Sequence, residues 1–256
     1  VTNVLVCVKR VPDTTGEVQL TPDGTAVDGR FAGYTMSAHE ECAVEIAVGV
    51  AEATGGTVTV LTLGPAEAVE QLRAALAVGA DDAVHIEADP ARFGPADVAD
   101  AIAEVVRARG AAGTSYGLVL TGNDAADSGD FQVGIRLAYA LDRPVVAGAQ
   151  RVEVSGDVAT LHVGSSEGTE TYEVALPAVA TVLEGGVTPR YPTIKGRMRA
   201  KKAPVETVTT TVEPRGSGAL GLRLPPTPPS QVTVLGEGPA AAPAVVEVLR
   251  RIGVVS

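Results

Sequence analysis

The sequence predicts an α/β fold, a doubly wound, mostly parallel sheet with an antiparallel ribbon and a C-terminal extension. Short apolar runs rich in Val alternate with helix-period stripes over residues 1–148, the β-α-β rhythm of a parallel sheet with right-handed crossovers. Gly or Pro punctuates most of the changes. Beyond residue 149 the rhythm gives way to ribbon-like strands with Gly-containing turns, and then to Pro- and Gly-rich chain.

Residues 4–8 read as a buried strand, continuous and β-branched, stopped by Lys9, Arg10 and Pro12. Residues 18–20 and 26–28 flank Thr-Pro-Asp-Gly and predict a small hairpin. From Ala38, apolar residues at Ala43, Ile46, Ala47 and Val50 form one helical stripe, ended by Gly55 and Gly56. A strand over 57–63 breaks at Gly64-Pro65, and Val69, Leu72 and Leu76 mark a helix closed by Gly79. Residues 83–86 are a short strand, followed by a helix bearing Val98, Ile102, Val105 and Val106 and stopped by Gly110. A strand over 117–121 leads to a helix from about 132 to 141, and another strand begins over 144–148. Residues 152–154, 160–163 and 170–174 read as ribbon strands, and 177–183 as a further buried run. Regular periodicity disappears from 185 to 204. Pro225, Pro226, Pro228 and Pro229 make a semi-rigid linker. A strand over 232–235 and a helix bearing Val245, Val246, Leu249 and Ile252 close the chain, and that apolar stripe predicts packing against another surface.

Composition narrows the function. With 45% hydrophobic residues a sizeable core is available, and with 3% aromatic residues and no Trp it must be built from Val, Ala, Leu and Ile. Such residues suit parallel strands covered by helices. A net charge of −11 disfavours nucleic-acid binding. Cys7 and Cys42 lack C-x-x-C spacing, so a reducing compartment is expected. His39, His85 and His162 share no helical face, and no metal site is expected. The chain runs straight into an apolar segment with no basic region ahead of it, so no signal peptide is expected. Apolar runs stop near seven residues, far short of the ~20 of a membrane helix, and a soluble protein is expected.

In doubly wound sheets ligands sit beyond the carboxyl ends of strands, which directs attention to the segments after Val8, Leu63 and Thr121. The loop over 121–134 follows a strand and opens a helix, with small residues and free helix-start amides suited to a phosphate, and with Asp127 placed to accept a ribose hydroxyl. An ordinary loop capped by Asp130 explains the same residues. Neither a Walker A loop nor G-x-G-x-x-G is present. Residues 185–204 hold six of the chain's 20 basic residues (Arg190, Lys195, Arg197, Arg199, Lys201 and Lys202) and no Asp or Glu. Pro189 and Pro192 bracket Tyr191, and Ile194 is an apolar residue among basic neighbours. The segment is either a docking surface with an apolar anchor or a solvated basic loop with Ile194 tucked into the core. Ser165, Ser166, Glu167, His162 and Glu170 lie on or beside a ribbon without a nucleophile elbow, which argues for a surface ribbon rather than a catalytic site. Cys42 reads as core, His85 as structural, and His39 and Glu40 as site lining or first-turn residues.

Taken in order, these segments resemble the electron transfer flavoprotein beta subunit. The resemblance rests on Val-Leu-Val-Cys-Val-Lys-Arg-Val-Pro-Asp at 4–13, Met-Ser-Ala-His-Glu-Glu-Cys-Ala-Val-Glu-Ile-Ala at 36–47 and Leu-Gly-Pro at 63–65. It continues through Arg-Ala-Ala-Leu-Ala-Val-Gly-Ala-Asp at 73–81, the 122–134 loop, Leu-Pro-Ala-Val at 176–179, Pro-Arg-Tyr at 189–191 and Met-Arg-Ala-Lys-Lys at 198–202. It spans roughly residues 4–211.

The resemblance implies a heterodimeric electron carrier and no enzyme, with AMP in this subunit and FAD shared with an alpha subunit. By position, Cys7, Ser37, Ala38, His39, Glu40 and Leu63 would line the AMP pocket. Asp127 and the backbone of Phe131, Gln132 and Val133 would take the ribose and phosphate, with Gly122, Asn123, Ala126 and Asp130 also in the cofactor site. Residues 185–204 correspond to a recognition loop, with Arg190, Tyr191, Ile194, Lys195, Arg197, Met198 and Arg199 in docking and Ile194 as the anchor. Residues 1–184 would form the nucleotide-binding domain, and 205–256 an extension packing on the partner subunit. Electrons would pass from acyl-CoA or related dehydrogenases, as in fatty acid oxidation, to a quinone oxidoreductase or other acceptor, in the cytoplasm or an organelle matrix. The sequence departs from the family at Ser37, where Asn is common, at Phe131-Gln132-Val133, where Asn-Gln-Thr is common, and at Thr14, where some relatives have an aromatic. Two rival readings are a bifurcating protein with a second FAD in this subunit and a stand-alone adenine-nucleotide module.

Overall fold

The alternation of apolar runs and helical stripes is carried into space almost one for one in the computed structural model, which describes residues 1–13, 15–226 and 232–255. In chain order its elements are β1 (Val4–Cys7), β2 (Val11–Pro12), β3 (Tyr34–Thr35), α1 (Ala38–Thr54), β4 (Val58–Gly64), α2 (Val69–Val78) and β5 (Asp82–Glu87). Then come α3 (Pro95–Ala111), β6 (Leu118–Gly122), α4 (Val133–Leu141), β7 (Val145–Ser155), β8 (Val158–Ser165), β9 (Gly168–Ala175) and β10 (Ala178–Val182). The last are α5 (Ile194–Lys202), β11 (Glu206–Val208) and α6 (Ala242–Arg251). Two compact units contain them, Val1–Leu222 and Arg223–Ser256. Residues 205–222 therefore belong with the sheet and not with the second unit.

Nine strands form one sheet in the order β11-β5-β4-β1-β6-β10-β7-β8-β9. Pairing is parallel from β11 to β7 and antiparallel across β7, β8 and β9. Period-two alternation sorts the side chains of β1. Val4 and Val6 pack under α1 and α2 with Ala47, Val50 and Leu72, whereas Leu5 and Cys7 pack under α3 and α4 with Ile102 and Leu137. Each fully buried Val or Leu side chain stabilises the fold by about 1.5–3 kcal/mol relative to exposure. Strand order reverses beside β1, which lies between β4 and β6. That reversal opens a crevice at the carboxyl edge.

Helix ends follow local chemistry. Ser37 caps α1 in a capping box with Glu40, and Gly55 ends it in the left-handed region at φ 69°. Gly79 ends α2.

Five expectations need correction. Residues 144–148 and 152–154 belong to a single strand, β7, because its first half pairs with β10 and its second half with β8 across an irregular register near Ala149. The segment without periodicity contains a helix, α5, whose support comes from its cap and its seat on α2 and not from an apolar stripe. Thr193 Oγ1 accepts the Gly196 amide at 3.0 Å, and a Cβ at Gly196 would overlap the Ala77 carbonyl oxygen. Residues 232–235 are irregular, not a strand. Asp130 does not cap α4, which begins after Gln132 with no side-chain cap. The hairpin over 18–28 is reduced to one antiparallel bridge, Leu20 to Val27. Thr14, Pro228 and Pro229 lie outside the described residues.

Two helical glycines make opposite predictions. Ala is favoured over Gly in a helix by about 1 kcal/mol, and Gly49 in α1 has open space around a new Cβ. Gly134 in α4 does not, since a Cβ there would overlap the Thr181 methyl and come 2.7 Å from Thr121 Oγ1. Denaturant unfolding should show Gly49→Ala stabilising by up to about 1 kcal/mol. The overlap costs about 1–3 kcal/mol, so Gly134→Ala should be net destabilising. Equal effects at the two sites would contradict the close seating of α4 on β6 and β10.

Candidate functional site

β1, β4 and β6 end side by side, and a pocket of about 120 Å³ opens where the chain leaves them. Cys7 and Leu63 reach it from the strands, Glu40 from α1, and Gly122, Asn123, Asp130 and Val133 from the β6–α4 loop and the start of α4. These seven were expected from the sequence. The opposite wall was not: it comes from the β5–α3 connection and α3, through Pro90, Phe93, Gly94, Pro95, Val98 and Ile102. The Pro-x-x-Phe-Gly-Pro cluster directly after a strand was the available signal, whereas the pocket-facing side of Val98 and Ile102 was hidden inside a core-like helical stripe. Val8, Lys9, Leu61, Thr121, Asp124 and Ala125 complete the lining.

Glu40 sets the local geometry. Its side chain, only 6% exposed, accepts the Lys9 amide at 2.7 Å, the Ser37 amide at 2.9 Å and the Ser37 hydroxyl at 3.1 Å. One carboxylate thus joins the exit of β1 to the entry of α1. Burial pushes its pKa from 4.5 up to about 7, and the hydrogen bonds from Ser37 and Lys9 only partly offset that. The Cys7 thiol is pushed up to about 12 by burial and by the charge of Glu40, which leaves it inert as a nucleophile.

The other expected residues stand around the rim. Ser37 is engaged as the α1 cap, Ala38 is exposed, and His39 Nδ1 accepts the Glu184 amide at 3.0 Å. The ring proton therefore sits on Nε2, 2.7 Å from Asp124 Oδ1. That approach is off hydrogen-bond geometry, and the buried Oδ1 has no hydrogen-bond partner among the described residues. Ala126 is exposed, and Asp127 is held by Lys9 Nζ at 2.6 Å. Phe131 is 57% exposed. The Gln132 side chain accepts Arg136 Nε at 2.9 Å, so it does not cap α4. Thr181 Oγ1 holds the pocket residue Asn123 from behind, accepting the Gly148 amide at 2.9 Å and donating to Asn123 Oδ1 at 2.6 Å.

A second surface is built on α5. Tyr191, Ile194 and Met198 are 92%, 82% and 61% exposed, so Ile194 is not tucked into the core. The basic residues divide into two sets. Arg190 is engaged by Glu45 and Glu52 on α1. Arg199 donates to the carbonyls of Leu76 and Ala80 at the end of α2, and Arg73 returns the contact by donating to Ala200 O at 2.5 Å. These contacts fix the helix in place. The ribbon residues Ser165 and His162 bond within the β8–β9 hairpin, to Gly168 O and Thr171 Oγ1, and His85 Nε2 lies 2.9 Å from Gly64 O.

The chain is similar to known proteins over most of its length. A family model for the electron transfer flavoprotein domain matches residues 29–213. The electron transfer flavoprotein subunit beta of Mycobacterium tuberculosis strain H37Rv is 37% identical over 214 residues, covering 81% of this chain and 79% of that protein. The subunit beta of Syntrophomonas wolfei is 34% identical over 245 residues, 95% of this chain and 94% of its own. That of Bacillus subtilis is 33% identical over 206 residues, 80% and 77%.

The raised pKa of Glu40 gives a signed pH dependence. The folded state favours the protonated form, so the stabilisation is complete below about 4.5 and is lost as pH rises through about 7. Unfolding free energies of the wild type and Glu40→Gln should diverge in the wild type's favour by roughly 3 kcal/mol between pH 8 and pH 4. A difference independent of pH would show that Glu40 titrates normally.

Proposed function

The chain belongs to the electron transfer flavoprotein family as a beta subunit, and we propose that its pocket holds AMP while the redox FAD is shared with an alpha subunit. The observation that carries the AMP reading is the convergence of three strand ends and the uncapped start of α4 on one pocket. The first-turn amides of α4, lacking a side-chain cap, are the natural donors to a phosphate. Phe131 and Val133 have no side-chain donors, and Gln132, whose Oε1 accepts from Arg136, has only its Nε2 to offer, so the phosphate is held mainly by backbone. The pocket's carboxylates, Glu40, Asp124 and Asp130, disfavour an anion deep inside and direct the phosphate outward to that helix end. Asp124 lines the pocket with His39 Nε2 2.7 Å from its Oδ1, and it accepts an adenine amine or a ribose hydroxyl only by sharing that contact. Asp127 reaches a ribose only by sharing with Lys9.

In this reading the subunit performs no acid–base or covalent chemistry. It supplies the nucleotide site and a docking surface, and electrons pass from acyl-CoA-type dehydrogenases through the FAD to a quinone oxidoreductase or other acceptor. Among the described residues no helix is long and apolar enough to cross a membrane, and the proposed compartment is the cytoplasm or an organelle matrix. The dehydrogenase docks on Tyr191, Ile194 and Met198, with Lys195 and Arg197 as the steering charges. Arg190 and Arg199 hold the helix and do not form the rim. The extension beyond residue 222 packs on the alpha subunit.

Mass analysis of nucleotides released from the denatured heterodimer should give one FAD and one AMP. Two FAD would mean that this pocket holds a flavin, as in a bifurcating protein, and no flavin at all would favour a stand-alone nucleotide module. Ile194→Ala should weaken dehydrogenase docking by about 2 kcal/mol, read as a raised KM of the heterodimer for its dehydrogenase. An unchanged KM with every dehydrogenase would remove Ile194 as the anchor.

A further inference from the structure

A strap of chain runs from the edge of the sheet across α3 to the pocket wall. It leaves β11, which pairs with β5, and is first tied to α3 at Glu104. Thr210 Oγ1 donates to Glu104 Oε2 at 2.6 Å and the Thr211 amide donates to the same oxygen at 3.1 Å, while the Thr211 hydroxyl donates to Oε1. The second tie is at Asp97, in the first turn of α3, with 1% of its surface exposed. Its Oδ2 accepts three amides, from Gly94 at 2.9 Å and from Arg215 and Gly216 at 3.0 Å each. Its Oδ1 accepts Arg215 Nε at 2.7 Å, and Arg215 Nη2 continues to Asp100 at 2.8 Å.

Only the second tie touches the pocket. Gly94 and Pro95 line it, and a Cβ on Gly94 would overlap the Gly216 carbonyl oxygen. The strap therefore lies directly on the back of the wall, and one carboxylate oxygen is shared between wall and strap. Burial alone would raise the Asp97 carboxyl; hydrogen bonds from Gly94, Arg215 and Gly216 outweigh it and hold the group at about 2. Its charge thus persists throughout the physiological range.

We propose that Asp97 is a positioning residue for the nucleotide pocket, clamping residues 213–217 against the Gly94–Pro95 wall so that nucleotide retention depends on the strap. The inference rests on the AMP reading of that pocket. Asp97 touches no ligand in this scheme. It fixes the wall against which the ligand packs, and releasing the strap lets the β5–α3 connection move away. The Glu104 tie, farther along α3, holds the strap without setting the wall.

The test is equilibrium dialysis of labelled AMP against the intact heterodimer, stripped of nucleotide, with thermal unfolding measured in parallel. Arg215→Ala removes the side-chain half of the clamp at an exposed position and should raise the Kd for AMP about tenfold, the scale of one charge-assisted hydrogen bond. Arg215→Lys should restore part of the affinity, and Asp97→Asn should weaken binding further if the variant folds. Thr211→Val, which loosens only the Glu104 tie, should lower the unfolding temperature without changing the Kd. A Kd for Arg215→Ala within about twofold of the wild type, or an equal rise in Thr211→Val, would overturn the clamp. Absence of AMP binding by the wild-type heterodimer would instead overturn the nucleotide reading, and the clamp with it.

Discussion

One buried carboxylate, Glu40, joins the two elements on which the crevice depends. It receives the Lys9 amide where β1 ends and the Ser37 amide where α1 begins. Both amides would otherwise face a nearly dry site, and an unpaired buried donor costs about 1–3 kcal/mol. The carboxylate carries its own desolvation penalty, expressed as its raised pKa. The chain tolerates that penalty because β1 is the interior strand at which the order reverses. If β1 left the sheet along another path, the ends of β4 and β6 would still converge, but their crevice would lose its floor.

The parallel core was legible because buried strands and amphipathic helices differ in period, and because Gly55 and Gly79 stop helices in conformations that favour glycine. β1, β4, β5 and β6 lie within a residue or so of the expected spans. What failed shares a cause: each element depends on a neighbour remote in sequence. β7 is one strand because two different partners hold its two halves. α5 is a helix with few apolar residues because Gly196 lets it sit on Ala77 and Arg199 closes the end of α2. The near wall of the pocket followed from the strand ends together with the family resemblance, which placed Cys7, Glu40 and Leu63 there. The far wall required knowing which side of α3 faces the crevice, and a stripe of Val98, Ile102, Val105 and Val106 does not distinguish core from pocket.

The two surfaces obey different physics. The crevice is built from backbone, glycine and engaged polar groups, and in the proposed reading it retains a ligand tightly. The α5 surface presents large apolar side chains that stay out in solvent at 82% and 92% for Ile194 and Tyr191. That exposure is tolerable on a rigid helix and suits transient docking, in which a few anchors supply the affinity and surrounding charges mainly raise the association rate. The division of the arginines follows from this. In the proposed reading, Arg190 and Arg199 fix the platform, which lowers the entropy cost of binding, and Lys195 and Arg197 steer the partner.

The central claim is that the crevice at the ends of β1, β4 and β6 holds the adenine nucleotide of this subunit. Photo-crosslinking the heterodimer with 8-azido-AMP, followed by peptide mapping, tests this most directly. Labelled peptides should come from the ends of β1, β4 and β6 or from the β5–α3 wall, and excess AMP should abolish the label. Labelling confined to other parts of this chain, or to the alpha subunit, would contradict the claim.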